Sequence, residues 1–349
     1  MKICHHVFDQ IISLENLFAG WKEFHKDKQI KPDVLKFELN LEPNIFQLHR
    51  DLKSHRYKHG PYTSFYITDP KRRHIHKATV RDRVLHHAVF NILNPLFEPT
   101  FISHSFSCRI GKGSHKGVDC LTKTLRQISL NYTGPCFALK CDISKFFASI
   151  DHSVLLNLLS KKIKDDKAMW LIKEIIGSFC SNQSNLFEKR GLPIGNLTSQ
   201  LFANIYLNEL DQFVKHELRV KNYLRYTDDF IIASDNKEYL EKILKPIKEF
   251  LEQKLFLKLH PHKVVIRKFN QGVDFLGYVV LPHYCLMRNK TKQRIFRKLR
   301  NRVKEYKTGE ISQQTLEQSL QSYLGVLSHA NTYELSQNLK NRFWFWLKE

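Results

Sequence analysis

Apolar residues open the chain at three- and four-residue spacing: Ile3, Val7, Leu14, Leu17, Phe18, Trp21 and Phe24. That spacing lines one side of a helix, so residues 1–30 are expected to form an amphipathic helix packed on a core. A second helical stretch covers Leu39 to Leu52. Gly60 and Pro61 then break the pattern, and the aromatic and β-branched run Tyr62 to Ile67 reads as a strand. A further apolar helix is expected from Val84 to Leu96. From Phe137 to Ile143 the period changes to two. Phe137, Leu139, Cys141 and Ile143 point one way, and Ala138, Lys140 and Asp142 the other. This predicts a half-buried strand that ends at Asp142, on the face opposite the apolar one, with a helical stretch starting at Ser144 to Phe147. Turn-rich residues Arg190 to Asn196 feed a helix marked by Leu197, Leu201, Phe202, Ile205, Leu210 and Phe213. Two short apolar segments, Lys221 to Tyr226 and Phe230 to Ala233, read as strands on either side of a turn. An amphipathic helix follows from Lys237 to Lys254, then β-like pieces at Val264 to Ile266 and Val273 to Val279. Leu316, Leu320, Tyr323, Leu324 and Leu327 mark another helix, and an aromatic cluster, Phe343 to Trp346, lies near the last residue. There is no internal repeat and no low-complexity linker, so the chain reads as one continuous multi-lobed α+β assembly.

Charge adds the first hint of a partner. The 349 residues, enough for ~2 domains, carry 56 Lys and Arg against 34 Asp and Glu, a formal charge of +22. Such an excess points to a polyanion, most often nucleic acid. No apolar run approaches the ~18 residues of a membrane span. Asp9 and Glu15 interrupt the first apolar residues, so they do not read as a signal peptide. The seven cysteines form no C-x-x-C pair, which argues against a zinc site or a disulfide framework and for a reducing, cytoplasmic setting.

Three segments carry candidate chemistry. Asp228 and Asp229 lie side by side at the turn between the two short strands. Asp is common in turns, but adjacent carboxylates repel and are costly to bury unpaired, a conflict that a divalent cation resolves. Asp142, at the end of its strand, either caps the next helix or joins that pair. The stretch from Asp69 to Arg83 holds six Lys or Arg. It follows a strand, starts at a Pro turn and leads into a helix, which places it to grip phosphate; a solvated charged face is the plainer reading. Gly111 to Gly117 looks like a phosphate cradle but lacks the spacing of a P-loop, and Arg109 beside it is a candidate nucleic-acid contact. Arg288 to Lys307 contains ten Lys or Arg and one Glu; Arg294, Lys298 and Arg302 recur every four residues as one basic helical face.

Taken together, and in this order, the segments resemble the reverse transcriptases. Asp142, with the aromatic Phe147 five residues on, resembles polymerase motif A. Gly191 to Gln200 and the helix after it resemble motif B. Tyr226-Thr227-Asp228-Asp229 resembles motif C, and Val273 to Tyr278 the primer grip. Lys71 to Arg83 resembles the part of the fingers that holds the incoming triphosphate. The resemblance runs from about residue 60 to 330. It implies a right-hand polymerase fold: an N-terminal helical extension at 1–60, fingers at 61–136, a palm at 137–285 with a finger insertion around 160–190, and a helical thumb at 286–349.

The resemblance also implies roles. Two Mg²⁺ ions, with Mn²⁺ as a possible substitute, would be held by Asp142, Asp228 and the Ile143 carbonyl, with Asp229 as third carboxylate. Phe147 would be a steric gate against ribonucleotides. Arg73 and Arg81, then Lys71 and Arg72, would grip the triphosphate. Lys263 matches the Lys of motif D, a candidate acid for the leaving pyrophosphate. Phe275, Leu276 and Gly277 would hold the primer. The partners implied are template RNA, the RNA/DNA hybrid and deoxynucleoside triphosphates. Within the group II intron and retron-like superfamily, the Ile-Gly-x-x-x-Ser-Gln form at Ile194, Gly195, Ser199 and Gln200 is most similar to reverse transcriptases of diversity-generating retroelements. These are error-prone at template adenines and act with a small basic accessory variability protein. The setting implied is prokaryotic or phage-encoded, and the compact length is that of a polymerase without an appended maturase or endonuclease domain. Compact retron-type and phage-defence enzymes are the neighbouring alternative. A non-catalytic RNA-binding splicing cofactor is the alternative of another class, and a full carboxylate set argues against it.

Overall fold

The computed structural model describes residues 4–69, 71–181 and 189–349. Ile3, Pro70 and part of the expected insertion around 160–190 thus lie outside the described residues. The chain opens with helices α1 (Val7–Ile12), α2 (Leu14–His25), α3 (Pro32–Glu38) and α4 (Leu41–Lys53). The single helix expected over residues 1–30 is therefore split. Ser13 leaves helical geometry and its side chain accepts from the Asn16 amide, an N-cap that starts α2 afresh. Strands β1 (Thr63–Ile67) and β2 (Arg73–Lys77) form an antiparallel pair, Tyr66 opposite His74. The middle third of the basic run is thus a strand, which its charge had concealed. Helix α5 (Val80–Phe97) follows at once, capped by Thr79, and α6 (Ser114–Ile128) starts inside the glycine-rich segment.

The centre of the molecule is a four-stranded antiparallel sheet. Its strands are β3 (Phe137–Asp142), β4 (Tyr223–Tyr226), β5 (Asp229–Ser234) and β6 (Val265–Lys268), in the order β4-β5-β3-β6. Between β3 and β4 lie helices α7 (Phe146–Ser149), α8 (His152–Ser160), α9 (Asp166–Gly177) and α10 (Leu197–Gln212), and α11 (Lys237–Lys254) joins β5 to β6. One face of the sheet, with Leu139, Cys141 and Ile232, packs into a core shared with α1 to α5 and α8 to α11. The other face was expected to be polar. It is not: Ala138, Leu224, Ile231 and Ala233 pack into a second core. Ala138 and Ala233 let a layer approach, and Leu224 and Ile231 pack into it, which the alternation of β3 does not announce.

That second core carries the rest of the chain. Strands β7 (Val273–Phe275), β8 (Tyr278–Val280) and β9 (Cys285–Met287) form a small antiparallel sheet. The segment Val273 to Val279, expected as one β-like piece, is a hairpin. Phe275 pairs with Tyr278 across a two-residue loop, Leu276 and Gly277, both at positive φ of 50° and 94°. Such a loop suits the twist of a hairpin and favours Gly. Helices α12 (Asn289–Lys307), α13 (Gln313–Leu327) and α14 (Tyr333–Lys348) close the chain. Ile295, Leu299, Leu320 and Phe343 fix them to the same core. Among the described residues no helix is long and apolar enough to cross a membrane.

Candidate active site

The site forms where β3 and β5 end together. Their antiparallel register puts Asp142 opposite Asp229. Asp228 stands in the two-residue loop Thr227–Asp228 between β4 and β5, and its carbonyl accepts from the Ile143 amide at 3.2 Å. Asp142 and the distant Asp228–Asp229 pair therefore meet where these strands end.

A polar node behind the loop fixes its shape. Arg225 is fully buried on β4; its Nε and Nη2 donate to the two carboxylate oxygens of Asp211, at 2.7 and 2.6 Å. Burial works against its charge, but Asp211 more than offsets this and raises its pKa. Arg225 Nη1 also donates to the Thr227 carbonyl at 3.2 Å, and Thr227 Oγ1 donates to Ser107 Oγ at 2.6 Å. Thr227 is held in the left-handed region, φ 53°, which a β-branched residue rarely adopts.

Asp228 and Asp229 are not balanced in this way. Burial, then the nearby Asp142 and Asp229, push the Asp228 pKa up to about 6 despite a backbone hydrogen bond that opposes the rise. Asp229 is also raised, by burial first; the charge of Lys140 works against that, and Asp142 adds to it. Asp142 meets Lys263, whose Nζ donates to Oδ2 at 2.6 Å. Among the described residues no three His, Cys, Asp or Glu side chains are gathered closely enough to hold a metal ion as they stand. The Lys263 ammonium supplies positive charge at Asp142 instead.

The remaining sequence candidates surround this site unevenly. Lys71 and Arg73 are exposed, and Arg72 stacks on the Tyr66 ring at 4.3 Å. Arg81 turns toward the N-terminal helices, with Nη2 donating to the Lys58 carbonyl at 2.5 Å and Nη1 at 3.5 Å from Asp51. Arg109, a candidate nucleic-acid contact, is instead largely buried against Glu98 and the carbonyls of Ile102 and Ser105. Phe147 is half-buried beside Phe146, and its carbonyl accepts from the Leu192 amide at 2.7 Å, tying α7 to the loop that enters α10. In that loop the Ile194 carbonyl accepts from the His76 amide of β2 at 3.1 Å. Gly195 has φ 123°, and a Cβ there would stand 3.2 Å from Ile75. Ser199 is buried, while Gln200 helps line a cavity of about 360 Å³ with Phe24, Lys28, Arg83 and Asn196. Phe275 is fully buried; the Leu276–Gly277 turn lies against Gly117 of α6, 3.1 Å from where a Cβ would be.

Sequence reasoning missed Arg225 and Asp211, although a lone Arg inside an apolar strand was a signal. It also missed Lys140. Lys140 shares its face of β3 with Asp142, and its Nζ donates to the Asp274 carbonyl at 3.1 Å.

Comparison with known proteins adds the family. A family model described as reverse transcriptase (RNA-dependent DNA polymerase) matches residues 61–280. The group II intron-encoded protein LtrA of Lactococcus lactis subsp. cremoris is 28% identical over 68% of this chain and 49% of its own length. Protein YkfC of Escherichia coli (strain K12) is 26% identical over 71% of this chain and 74% of its own. The chain thus spans about half the length of LtrA. An apo telomerase from Candida tropicalis, truncated from its C-terminal domain, aligns over 67% of this chain and 57% of its own at 14% identity and a TM-score of 0.47, a likeness too slight to argue from.

Proposed function

Because the chain belongs to the reverse transcriptase family, we propose that it is an RNA-directed DNA polymerase with the right-hand fold, extending a primer 3′-hydroxyl with deoxynucleoside triphosphates on an RNA template. The observation that carries this reading is the meeting of Asp142, Asp228 and Asp229 at one sheet edge. In domain terms, residues 61–136 act as fingers, 137–285 as palm and 286–349 as thumb, with 1–60 bracing the fingers.

The residues present suit a divalent metal. Their donors are hard carboxylate oxygens. Asp228 is raised by burial and has no ion pair among the described residues, so a cation would restore the charge that burial disfavours. Asp142, Asp228 and the Ile143 carbonyl would hold Mg²⁺ or Mn²⁺, with Asp229 as third carboxylate and Lys263 displaced from Asp142. Bound metal would lower the pKa of the attacking hydroxyl and neutralise charge on the leaving pyrophosphate.

The chain's own side chains do the rest. Lys263 Nζ, freed from Asp142, carries a proton toward the pyrophosphate oxygen. Arg73 and Lys71, with Arg72, hold the triphosphate; Arg81 is taken up by the Lys58 carbonyl and Asp51 instead. The Phe147 ring excludes a 2′-hydroxyl. Ile194, Gly195, Ser199 and Gln200 face the templating pair, and Phe275, Leu276 and Gly277 hold the primer strand. The basic face of α12 tracks the hybrid backbone. The Ile194–Gly195 and Ser199–Gln200 pattern supports a finer reading: synthesis that is error-prone at template adenines in a diversity-generating retroelement, with a small basic accessory protein as partner.

Primer extension on an RNA template with dNTPs and Mg²⁺ tests the activity. Asp228→Ala is expected to lose at least ~10³-fold, and equal activity in the two proteins would sink the assignment. Sequencing the products tests the finer reading, which requires errors concentrated opposite template adenines. RNA affinity should fall steeply with rising salt.

A further inference from the structure

Lys140 lies in a line of alternating charge that leaves the carboxylate edge and ends at the root of the C-terminal helices. On β3 it is opposite Ile231 of β5, in the same ladder that sets Asp142 opposite Asp229. Its positive charge acts on Asp229. Its Nζ reaches across to the small sheet, donating to the Asp274 carbonyl at 3.1 Å and standing 3.5 Å from the Asp274 carboxylate. That carboxylate accepts in turn from the Arg288 guanidinium. Arg288 is the N-cap residue of α12, and its backbone amide donates to the Gly277 carbonyl at 3.0 Å. The order is Asp229, Lys140, Asp274, Arg288: negative, positive, negative, positive.

Geometry gives this line a purpose that simple charge balance does not. Asp274 lies on β7, immediately before Phe275 and the Leu276–Gly277 turn, and β7 belongs to a different sheet from β3. Two separately folded sheets must present their ends at fixed distance if one holds a reacting group and the other the strand that reacts. Apolar packing in the second core joins the sheets, but it has no directional preference. Hydrogen bonds from one ammonium group to a carbonyl do. Lys140 is only about a quarter exposed, with a side-chain exposure of 25%, so its stem is held by the surrounding core while its tip stays polar.

We propose that Lys140 is a positioning residue, which through Asp274 and Arg288 sets the Leu276–Gly277 turn, and with it the primer 3′ end, in register with the carboxylate edge. This rests on the polymerase reading above. It assigns Lys140 no contact with substrate. Misplacing a reacting atom by about an ångström costs on the order of 10²-fold in rate. Loss of the bridge should therefore appear in the rate of extension of bound primer and much less in the affinity for primer and template.

The test uses the full chain with Lys140→Met, Asp274→Asn and the double variant. Each single variant is expected to slow single-turnover extension on a saturating RNA/DNA primer–template by roughly 10- to 100-fold. The dissociation constant for that hybrid should change less than about threefold. The double variant should be no slower than the worse single one, because Lys140→Met removes the carbonyl bond and the contact with the carboxylate together, and Asp274→Asn weakens the carboxylate part of that same bridge. A readout without metal, nucleotide or turnover accompanies these: hydrogen exchange across residues 273–277 should quicken in both single variants. Unchanged exchange in both, wild-type extension rates in both, or multiplying losses in the double variant would each overturn the proposal. Asp274→Asn, at a more exposed position, keeps the test open if Lys140→Met fails to fold. A wild-type protein that does not extend a primer, or an Asp228→Ala protein that does, counts against the polymerase reading and leaves the exchange experiment to decide the bridge.

Discussion

Two groups of acidic side chains flank the same hairpin, and they have been treated in opposite ways. Behind it, Asp211 is fully buried and matched by Arg225 in two hydrogen bonds and by the Tyr223 hydroxyl in a third. In front of it, Asp228 and Asp229 are half-buried with no comparable partner, and burial raises their pKa values. A folded protein usually pairs a charge it buries. The paired group is accounted for by the fold: it ties β4 to α10 and, through the Thr227 carbonyl, shapes the loop. The front carboxylates are not accounted for in this way, because burial raises their pKa values and so costs stability. The divalent cation proposed above would supply the partner that the fold does not place in front of the hairpin.

The sharpest way to break this contrast is to leave the rear group unpaired as well. Arg225→Met removes one partner of a fully buried pair, and such losses cost about 3–5 kcal/mol. Chemical denaturation should show a loss of that order. Adding Asp211→Leu should return much of it, since a matched apolar pair no longer buries a lone charge. If Arg225→Met costs no more than an ordinary surface substitution, the rear pair is not what holds the loop.

The front group should respond to pH in the opposite sense from a paired carboxylate. The Asp228 pKa is raised from 3.8 to about 6 in the folded protein. Between those values the unfolded chain is ionised and the folded chain still protonated, so folding takes up a proton. The contribution is therefore present at low pH and is lost as pH rises from about 4 through about 6. The metal-free protein should lose on the order of 2–3 kcal/mol over that range from this group. Thermal melts of the wild type and of Asp228→Asn check this, because the amide has no proton to gain and should flatten the slope. A slope of the same size in Asp228→Asn would show that Asp228 is not its source.

How much of this contrast the sequence displays follows from the physics of each part. The front group is legible, because two adjacent Asp residues between apolar strands conflict with burial, and β3 alternates cleanly up to Asp142. Helix α11 is legible for the same reason, since its apolar residues keep one period throughout. The rear group is not: Asp211 and Arg225 are separated by the end of α10 and the start of β4, and only their pairing explains either. Strand β2 was hidden because Arg73 to Lys77 leaves its polar side chains exposed or half-exposed, and its strand character comes from the ladder with β1. The break at Ser13 needed one cap to outweigh an unbroken apolar period. The spent cations, Arg81 and Arg109, show a further limit, since a basic residue announces charge but not which carboxylate or carbonyl will use it.

Tyr223→Phe gives the finest test of the division between the two groups. The Tyr223 hydroxyl donates to Asp211 Oδ1 at 2.8 Å, and Arg225 Nε donates to the same oxygen at 2.7 Å. Deleting the hydroxyl leaves the two Arg225 bonds intact and opens almost no space. The expected cost is about 0.5–1.5 kcal/mol, the net worth of one hydrogen bond, read by chemical denaturation. Primer extension should be unchanged, because Arg225 still reaches the Thr227 carbonyl and the loop keeps its shape. A large loss of extension at that small cost in stability would mean that the rear group does more than hold the loop. The line drawn between a structural pair behind the hairpin and a chemical group in front of it would then be in the wrong place.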